Sequence, residues 1–524
     1  MHWADFAAQK LSEREGPQVV VSGITPSGEF HIGHLREILS AEMIHRACLD
    51  FGLESRYVFI VDSMDPLRRV YDFLSPSYES YIGVPLANIP APGEDGEPDP
   101  EGGSYAEFFL RPFLGALKQI GVEPEVIMNH ETYQNGEFAE MIDLAITNRD
   151  EIHGIIESVS GRDLPEDWFP YSPLGSNGSL DGVKVTGYDR PFVHWIDGQG
   201  IEGKSDIRLA EGKLPWRIDW AARWAIHSVT CEPAGKDHGA AGGSYDTGIP
   251  ICELLGGNPP EKMVYEWIQL KGMGPMSSSA GVTIGPMEAL SIVPPEILRY
   301  VIARSKMNRH IEFDTGAMMF LTADEYERLV SNPPNEEEGM SKRKRISVKT
   351  RRGAMRFSQV SRDSDPSDSV GGVSFRHLSM LAQIKSDDDG VWSSLRRSGH
   401  LPGEPSTSLR SRLEKMRSWI GGGHFPEGSR IIIQSEVGEE AESQIDEDSR
   451  SFLELLAQRL ESCDWDEDSI GETVRSSASD SGLGNRQAYV SLYLVILGRD
   501  YGPRISSLMA EMDRESLIGV ISSI

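Results

Sequence analysis

VVVSGITPSGEFHIGHLREIL, Val19 to Leu39, is the stretch on which the reading of this 524-residue chain turns. Val19, Val20 and Val21 form a β-branched run of the kind a buried parallel strand uses. Ser22 to Gly28 is rich in Gly, Pro, Ser and Thr, so the strand ends in a loop. Leu35, Ile38, Leu39 and Met43 then recur at helical spacing. Strand, Gly-rich loop and helix N-terminus together make an anion site, because unpaired backbone N–H groups and the helix dipole face the ligand. Gly33 lets a flat base approach the backbone with no side chain between.

Composition sets the bounds. A chain this long exceeds one hydrophobic core, and two to four domains are expected. No apolar run approaches the length that spans a bilayer. Met1-His2-Trp3-Ala4-Asp5 lacks a basic segment followed by an apolar one, so no secretory leader is expected. Cys48, Cys231, Cys252 and Cys463 are scattered, which argues against a disulfide framework or a Cys-based zinc site and fits a reducing cytoplasm. Against 51 basic residues stand 81 acidic ones, a net charge of −30. This excess describes an acidic, soluble surface; a nucleic-acid contact needs only a local basic patch.

Outward from the first strand, Arg56 to Val61 is a second buried-strand candidate, ending at Asp62-Ser63-Met64-Asp65. Strands alternating with helices predict a doubly wound parallel sheet with its site at the carboxyl ends of the strands. Leu74 to Gly103, crowded with Pro and Gly, reads as a surface loop, and residues 104–160 as helical, with Met141 to Ile156 a helical insertion. Pro165 to Gly203 is loop-rich with short strands, and His153 and His194 stand isolated in the sequence. Trp216, Trp220 and Trp224 recur every four residues on one helix face; Trp220 and Trp224 read as core, and Trp216, nearest the loops, as a pocket wall. Lys342, Arg343, Lys344, Arg345, Lys349, Arg351, Arg352 and Arg356 form the one dense basic run. It reads either as a contact to a nucleic-acid backbone or as a solvated, disordered loop. From about residue 373 onward the pattern is helical, and Ala488 to Leu497 reads as a buried helix or a strand.

His31-Ile32-Gly33-His34 resembles the HIGH motif of class I aminoacyl-tRNA synthetases. Its flanks, Gly23 to Gly28 and Leu35 to Leu39, are similar to the class I lysyl-tRNA synthetase branch. Two later blocks fall in the same order. Glu232-Pro233-Ala234-Gly235-Lys236-Asp237-His238, followed by Gly243-Ser244-Tyr245-Asp246-Thr247-Gly248, closely resembles that branch. Met276-Ser277-Ser278-Ser279 resembles its form of the KMSKS loop, with a departure: Pro275 and Ser278 stand where the motif has lysines. Lys271 is the nearest lysine before the loop. The family often carries zinc-binding cysteines in the segment that here reads Tyr171 to Gly178 without one, so no structural zinc is expected.

The resemblance implies an α/β chain: a Rossmann-like catalytic domain over 1–310 with an insertion at about 75–210, a connector at 311–372 carrying the basic run, and a mainly α-helical anticodon-binding domain at 373–524. It implies ATP-dependent activation of L-lysine, with Mg2+, and transfer to tRNA(Lys) in the cytoplasm, with neither membrane nor DNA as partner. His31, Gly33, His34 and Lys271 are then the catalytic candidates. Pro26, Ser27, Gly28, Met276, Ser277, Ser278 and Ser279 are the ATP-binding candidates. A lysine ammonium needs a carboxylate and an aromatic wall, for which Asp62, Asp219 and Asp237 with Trp216 and His238 are candidates, Gly23 and Thr25 lining the other side. Lys342 to Arg345 are the tRNA-binding candidates. The alternatives are a class I synthetase for another amino acid such as glutamate, a tRNA-binding paralogue without ligase activity, suggested by the lysine-free loop, and a nucleotidyltransferase acting on a small molecule.

Overall fold

A computed structural model describes residues 1–271 and 283–524, with the backbone alone at 274–275. Met276 to Ser279 thus lie outside the described residues. The chain forms two compact units: residues 1–290, 295–313 and 333–364 make the first, and 291–294, 314–332 and 365–524 the second.

The first unit is built on a five-stranded parallel sheet. Its strands are β1 (Gln18–Ile24), β2 (Ser55–Val61), β3 (Glu125–Met128), β4 (Cys231–Gly235) and β5 (Glu261–Tyr265), in the order β5-β4-β1-β2-β3. Every pairing is parallel, with Val20 opposite both Tyr57 and Cys231. The valine run is buried throughout, as a strand covered on both faces must be. The order reverses at β1, which places a crevice between the carboxyl ends of β1 and β4. Helix α1 (Trp3–Leu11) precedes the sheet, and α2 (Leu35–Asp50) follows β1 with twelve of its residues buried. Between β2 and β3 lie a short hairpin of Pro90–Pro92 with Pro98–Ser104 and helix α3 (Tyr105–Gln119). Helix α4 (Trp216–Ile226) carries the three tryptophans and leads into β4. Helix α5 (Ser244–Leu254) packs on α4.

Several local expectations change. The Leu74–Gly103 region contains that hairpin and two 3-10 turns. The insertion helix is two helices, Ala139–Thr147 and Arg149–Ser160, broken at Asn148. Glu125–Met128, read as part of a helical stretch, is the edge strand β3. Its side chains are at most partly buried, so it carries no continuous apolar run. The basic run is a helix, α7 (Lys342–Phe357), capped by the Ser341 hydroxyl, not a loop. It is anchored where Gly353 meets the His2 ring and where the Phe357 carbonyl accepts from Arg299.

Arg299, on helix α6 (Pro295–Ala303), is fully buried. It donates to the Phe357 and Ile120 carbonyls at 3.0 Å each and pairs with Glu42 at 2.7 Å. Glu42 also pairs with Arg46.

The second unit is helical. Trp419, fully buried, donates to the Thr315 carbonyl at 2.7 Å and packs against Phe320, Phe375 and Phe425. Glu327 accepts from Arg412 at 2.8 Å inside this core. Asn485–Leu497 is a helix, resolving the two readings of that apolar run. No helix among the described residues is long and apolar enough to cross a membrane.

Removing Glu42 leaves two guanidinium groups buried without their carboxylate, which costs about 3 kcal/mol or more. Glu42→Ala should therefore lower the midpoint of denaturant unfolding sharply. Lys10→Ala, which breaks the exposed pair with Glu261, should stay within about 1 kcal/mol of the parent.

Candidate active site

The loop after β1 brings the two histidines together. Their rings stack with centroids 4.0 Å apart. His31 is the N-cap of the turn Ile32–His34, and its Nδ1 accepts the Gly33 N–H at 3.1 Å. His34 Nδ1 lies 3.1 Å from the His31 N–H and closes the cap reciprocally. The His31 Nδ1, accepting a backbone proton, leaves that ring's own proton on Nε2, whereas His34 Nδ1 stands between the His31 N–H and, at 3.2 Å, the His31 carbonyl. Burial pushes His31 down to about 4, and burial together with the neighbouring His31 pushes His34 down to about 3. Both are neutral donors at neutral pH.

The loop around them is tied at several points. Ser27 accepts the Tyr105 hydroxyl on its carbonyl at 2.8 Å, joining the loop to α3. Gly28 has Phe73 so close that a Cβ would touch the ring at 3.0 Å. Pro26 is buried. The Ile32 N–H reaches the Ile284 carbonyl at 3.0 Å, just beyond the undescribed segment. Lys271 is exposed at the near side of that segment, its N–H on the Phe313 carbonyl.

At the crevice between β1 and β4 lies a narrow cavity of about 70 Å³. Gly23, Glu37, Asp62, Trp216, Trp220, Arg223, Glu232 and His238 line it. Trp216 stacks on Trp220 at 5.0 Å and meets the His238 ring edge-on at 5.6 Å. A Cβ on Gly23 would stand 3.6 Å from Glu232 Oε1 and 3.7 Å from Arg223 Nη1, inside the cavity space.

Charge is arranged around Arg223. It pairs with Asp62 at 2.5 Å and Asp219 at 2.7 Å. Burial works against its charge, but Asp62, Asp219 and Glu232 hold its pKa above the ordinary guanidinium range. Asp219 is fully buried, accepts from Tyr133 at 2.5 Å and does not line the cavity. Asp237 is exposed and does not line it either. Thr25 donates to Asp65 at 2.8 Å, and Asp65 pairs with buried Lys213 at 2.5 Å.

Two lining carboxylates were missed in the sequence. Glu37 accepts the Gly23 N–H and the Tyr265 hydroxyl, each at 2.8 Å; burial raises it to about 8 against those bonds. Glu232 accepts from Trp224 Nε1 at 2.6 Å, and burial raises it too. The available signal was an acid inside an otherwise apolar strand or helix face, which must be paired or used. Among the described residues neither makes an ion pair within 4 Å, so the cavity holds more carboxylates than cations.

Comparison with known proteins fits this geometry. The family model described as tRNA synthetases class I (K) matches residues 1–352, and that of an anticodon binding domain matches residues 410–519. The chain belongs to the class I tRNA synthetases. It is 38% identical to a lysine–tRNA ligase of Archaeoglobus fulgidus, covering 99% of both chains. It is 35% identical to one of Picrophilus torridus, covering 100% of this chain and 99% of that one. A class I synthetase works on nucleotide phosphates, and the paired imidazoles after β1 are donors of the kind such phosphates require.

At pH 7, nitrogen NMR of selectively labelled histidine should show His31 protonated at Nε2 and bare at Nδ1, and both rings neutral. Neither should titrate between pH 8 and pH 5; a transition near 6.5 in either ring would contradict the locked arrangement.

Proposed function

We infer that this chain is a lysine–tRNA ligase: it activates L-lysine with ATP and transfers it to tRNA(Lys). The observation that carries the lysine reading is the cavity's charge. Glu37, Asp62 and Glu232 face it, while its guanidinium is already engaged by Asp62 and Asp219. A glutamate substrate would bring a further carboxylate into that surplus and would have to displace Asp62 from Arg223. A lysine ammonium relieves the surplus, with Trp216 as its aromatic wall.

In the first step the lysine carboxylate attacks the α-phosphorus of ATP in line, and pyrophosphate leaves. In the second, a ribose hydroxyl of the terminal tRNA adenosine attacks the adenylate carbonyl, and AMP leaves. No enzyme nucleophile is required; positioning and charge stabilisation suffice. In this reading His31 and His34 donate ring N–H groups to phosphate oxygens, and Gly33 backs the adenine. Thr25, Pro26, Ser27 and Gly28 shape the loop, and Met276 to Ser279 with Lys271 close it over ATP. Glu37 and Glu232 face the lysine ammonium, with Gly23 leaving room beside them and His238 at the mouth. Magnesium, when it arrives with ATP, neutralises phosphate charge. Among the described residues there is no group of three or more His, Cys, Asp or Glu that could hold a metal ion.

Helix α7 supports a tRNA contact. Lys342 to Arg345 fill its first turn, which has no acid, against the helix dipole. Each such cation costs about 0.3 to 1 kcal/mol at a helix N-terminus. Further along, Lys349, Arg352 and Arg356 are tied to Glu336, Asn335, Asp5 and Asp50, whereas none of Lys342 to Arg345 makes an ion pair among the described residues. A sequence that keeps them there gains from a polyanion bound in front of the helix.

The deciding assay is aminoacylation and ATP–pyrophosphate exchange with each amino acid, with and without tRNA. Lysine alone should be activated and charged; activation of glutamate would overturn the reading. Glu232→Gln should raise KM for lysine at least tenfold. Because Glu37 is held protonated at neutral pH, kcat/KM for lysine should rise between pH 7 and pH 8.5 as it ionises, and Glu37→Gln should flatten that limb. Replacing Arg343 and Lys344 by Ala should reduce the slope of log tRNA affinity against log salt by about 1 to 2.

A further inference from the structure

Lys213, only 5% exposed, sits on a two-residue strand, Gly212–Lys213, that pairs antiparallel with Ser172–Pro173 just before α4. Burying an ammonium is costly unless a carboxylate answers it. Asp65, buried in the loop after β2, does so: Lys213 Nζ reaches Asp65 Oδ1 at 2.5 Å. Burial works against the Lys213 charge, but Asp65, Asp219 and Asp62 outweigh it and hold the ammonium above the usual lysine range.

The other oxygen of that carboxylate is taken by the loop after β1. Thr25, half-buried, donates its hydroxyl proton to Asp65 Oδ2 at 2.8 Å. Burial pushes the Asp65 carboxyl up, but Lys213, and after it Thr25 and Arg223, bring it below the usual carboxylate range. An ionised carboxylate only accepts, so the Thr25 hydroxyl has one direction: its proton faces Asp65 and its lone pairs face away. Thr25 immediately follows β1, two residues on from Gly23, which lines the cavity. Alternation along an extended chain sets these two on one face.

We propose that Lys213 and Asp65 are positioning residues that fix the Thr25 hydroxyl as an acceptor for the α-ammonium of the amino acid substrate. An ammonium has three donors and no lone pair, so it is matched by an oxygen whose own proton is spent elsewhere. The α-ammonium lies at the end of the substrate whose carboxylate must reach the α-phosphorus. That end points from the cavity toward His31, and Thr25 stands on the chain between Gly23 and His31. A polarity set in advance costs no reorganisation when the substrate arrives. Without Lys213 the buried Asp65 takes up a proton. A carboxylic acid donates as well as accepts, so the Thr25 hydroxyl is released to turn its proton toward the crevice, where it opposes an ammonium. The proposal rests on the ligase reading for what occupies the crevice. It adds recognition of the end common to all amino acids, separate from Glu37 and Glu232 at the side chain.

The test uses the full chain and two inert competitors of ATP–pyrophosphate exchange: L-lysinol, and 6-aminohexan-1-ol, which is the same molecule without the α-amine. The parent should bind lysinol at least tenfold more tightly. Lys213→Met and Thr25→Val should each reduce that preference at least fivefold, whereas Thr25→Ser, which keeps the hydroxyl, should hold the preference within twofold of the parent. Asp65→Asn, which can turn an amide donor toward Thr25, should reduce it as well and gives the same reading if Lys213→Met does not fold. A merely structural role would weaken both competitors alike, so folded variants with the preference intact would overturn the proposal. If the parent activates lysine while the preference ignores these residues, the positioning pair fails and the ligase stands. If the parent activates a different amino acid, the lysine reading fails, and the same comparison with that amino acid's alcohol, with and without its α-amine, still decides the pair. A parent that activates no amino acid would overturn both.

Discussion

The arrangement of the active site depends on one buried ion pair cluster, Asp62–Arg223–Asp219. Asp62 ends β2, Arg223 and Asp219 lie one turn apart on α4, and Tyr133 fixes Asp219 from the chain after β3. Asp62 and Asp219 thus meet on a single guanidinium, and a third element holds Asp219 in place. Removing any one partner strands a buried charge, at a cost of about 3 to 5 kcal/mol. The cluster does more than hold the walls. By committing Arg223 to two aspartates, it leaves Glu37 and Glu232 to face the cavity without a cation of their own. Burial raises both carboxyls, and holds Glu37 protonated at neutral pH, so on the proposed reading an incoming ammonium is what ionises them, and an uncharged side chain of lysine's length gains nothing comparable.

The phosphate side of the site works in the opposite way. His31 and His34 are neutral, because burial outweighs the gain from a positive ring. Neutral donors aimed at a polyanion give up Coulomb attraction, but they bind without a proton being taken up or lost. The Gly33 N–H at Nδ1 leaves the His31 proton on Nε2, and the reciprocal cap holds both rings, so their orientation is set in the empty site. Such preorganisation is what makes hydrogen bonds effective in a transition state. On the proposed reading the two halves of the site divide the labour: charge would select the amino acid, and geometry would hold the nucleotide.

How much of this was legible follows from burial. The strand Val19–Val21, the loop after it and the helix at Leu35 could be read because apolar periodicity reports burial directly. The helical tail could be read for the same reason. β3 could not, because Glu125–Met128 is a short edge strand exposed along one side. β4 was seen only as a loop block, because Glu232, Pro233 and Gly235 do not look like a strand, although every residue of it is buried. Trp216 and His238 were found, since aromatic residues near loops stand out. Glu37 was not, because a glutamate on a helix ordinarily means solvent. Asp219 and Asp237 attracted attention as carboxylates near the right motifs, yet one lies beneath the cavity floor and the other faces water. Sequence shows which residue types are near one another; only the fold shows which of them remain unneutralised.

The same distinction resolves the net charge of −30. A uniformly acidic protein would repel RNA, and this chain avoids that by segregation. Its one dense basic run lies on α7, whose first turn carries no acid. A phosphate backbone is drawn to that helix more than to the acidic remainder of the surface. Repulsion over the remaining surface narrows the orientations in which an RNA can dock, so the acidic excess serves register as much as solubility. On this argument, neutralising surface carboxylates far from α7 should raise total RNA affinity while lowering the preference for the productive complex.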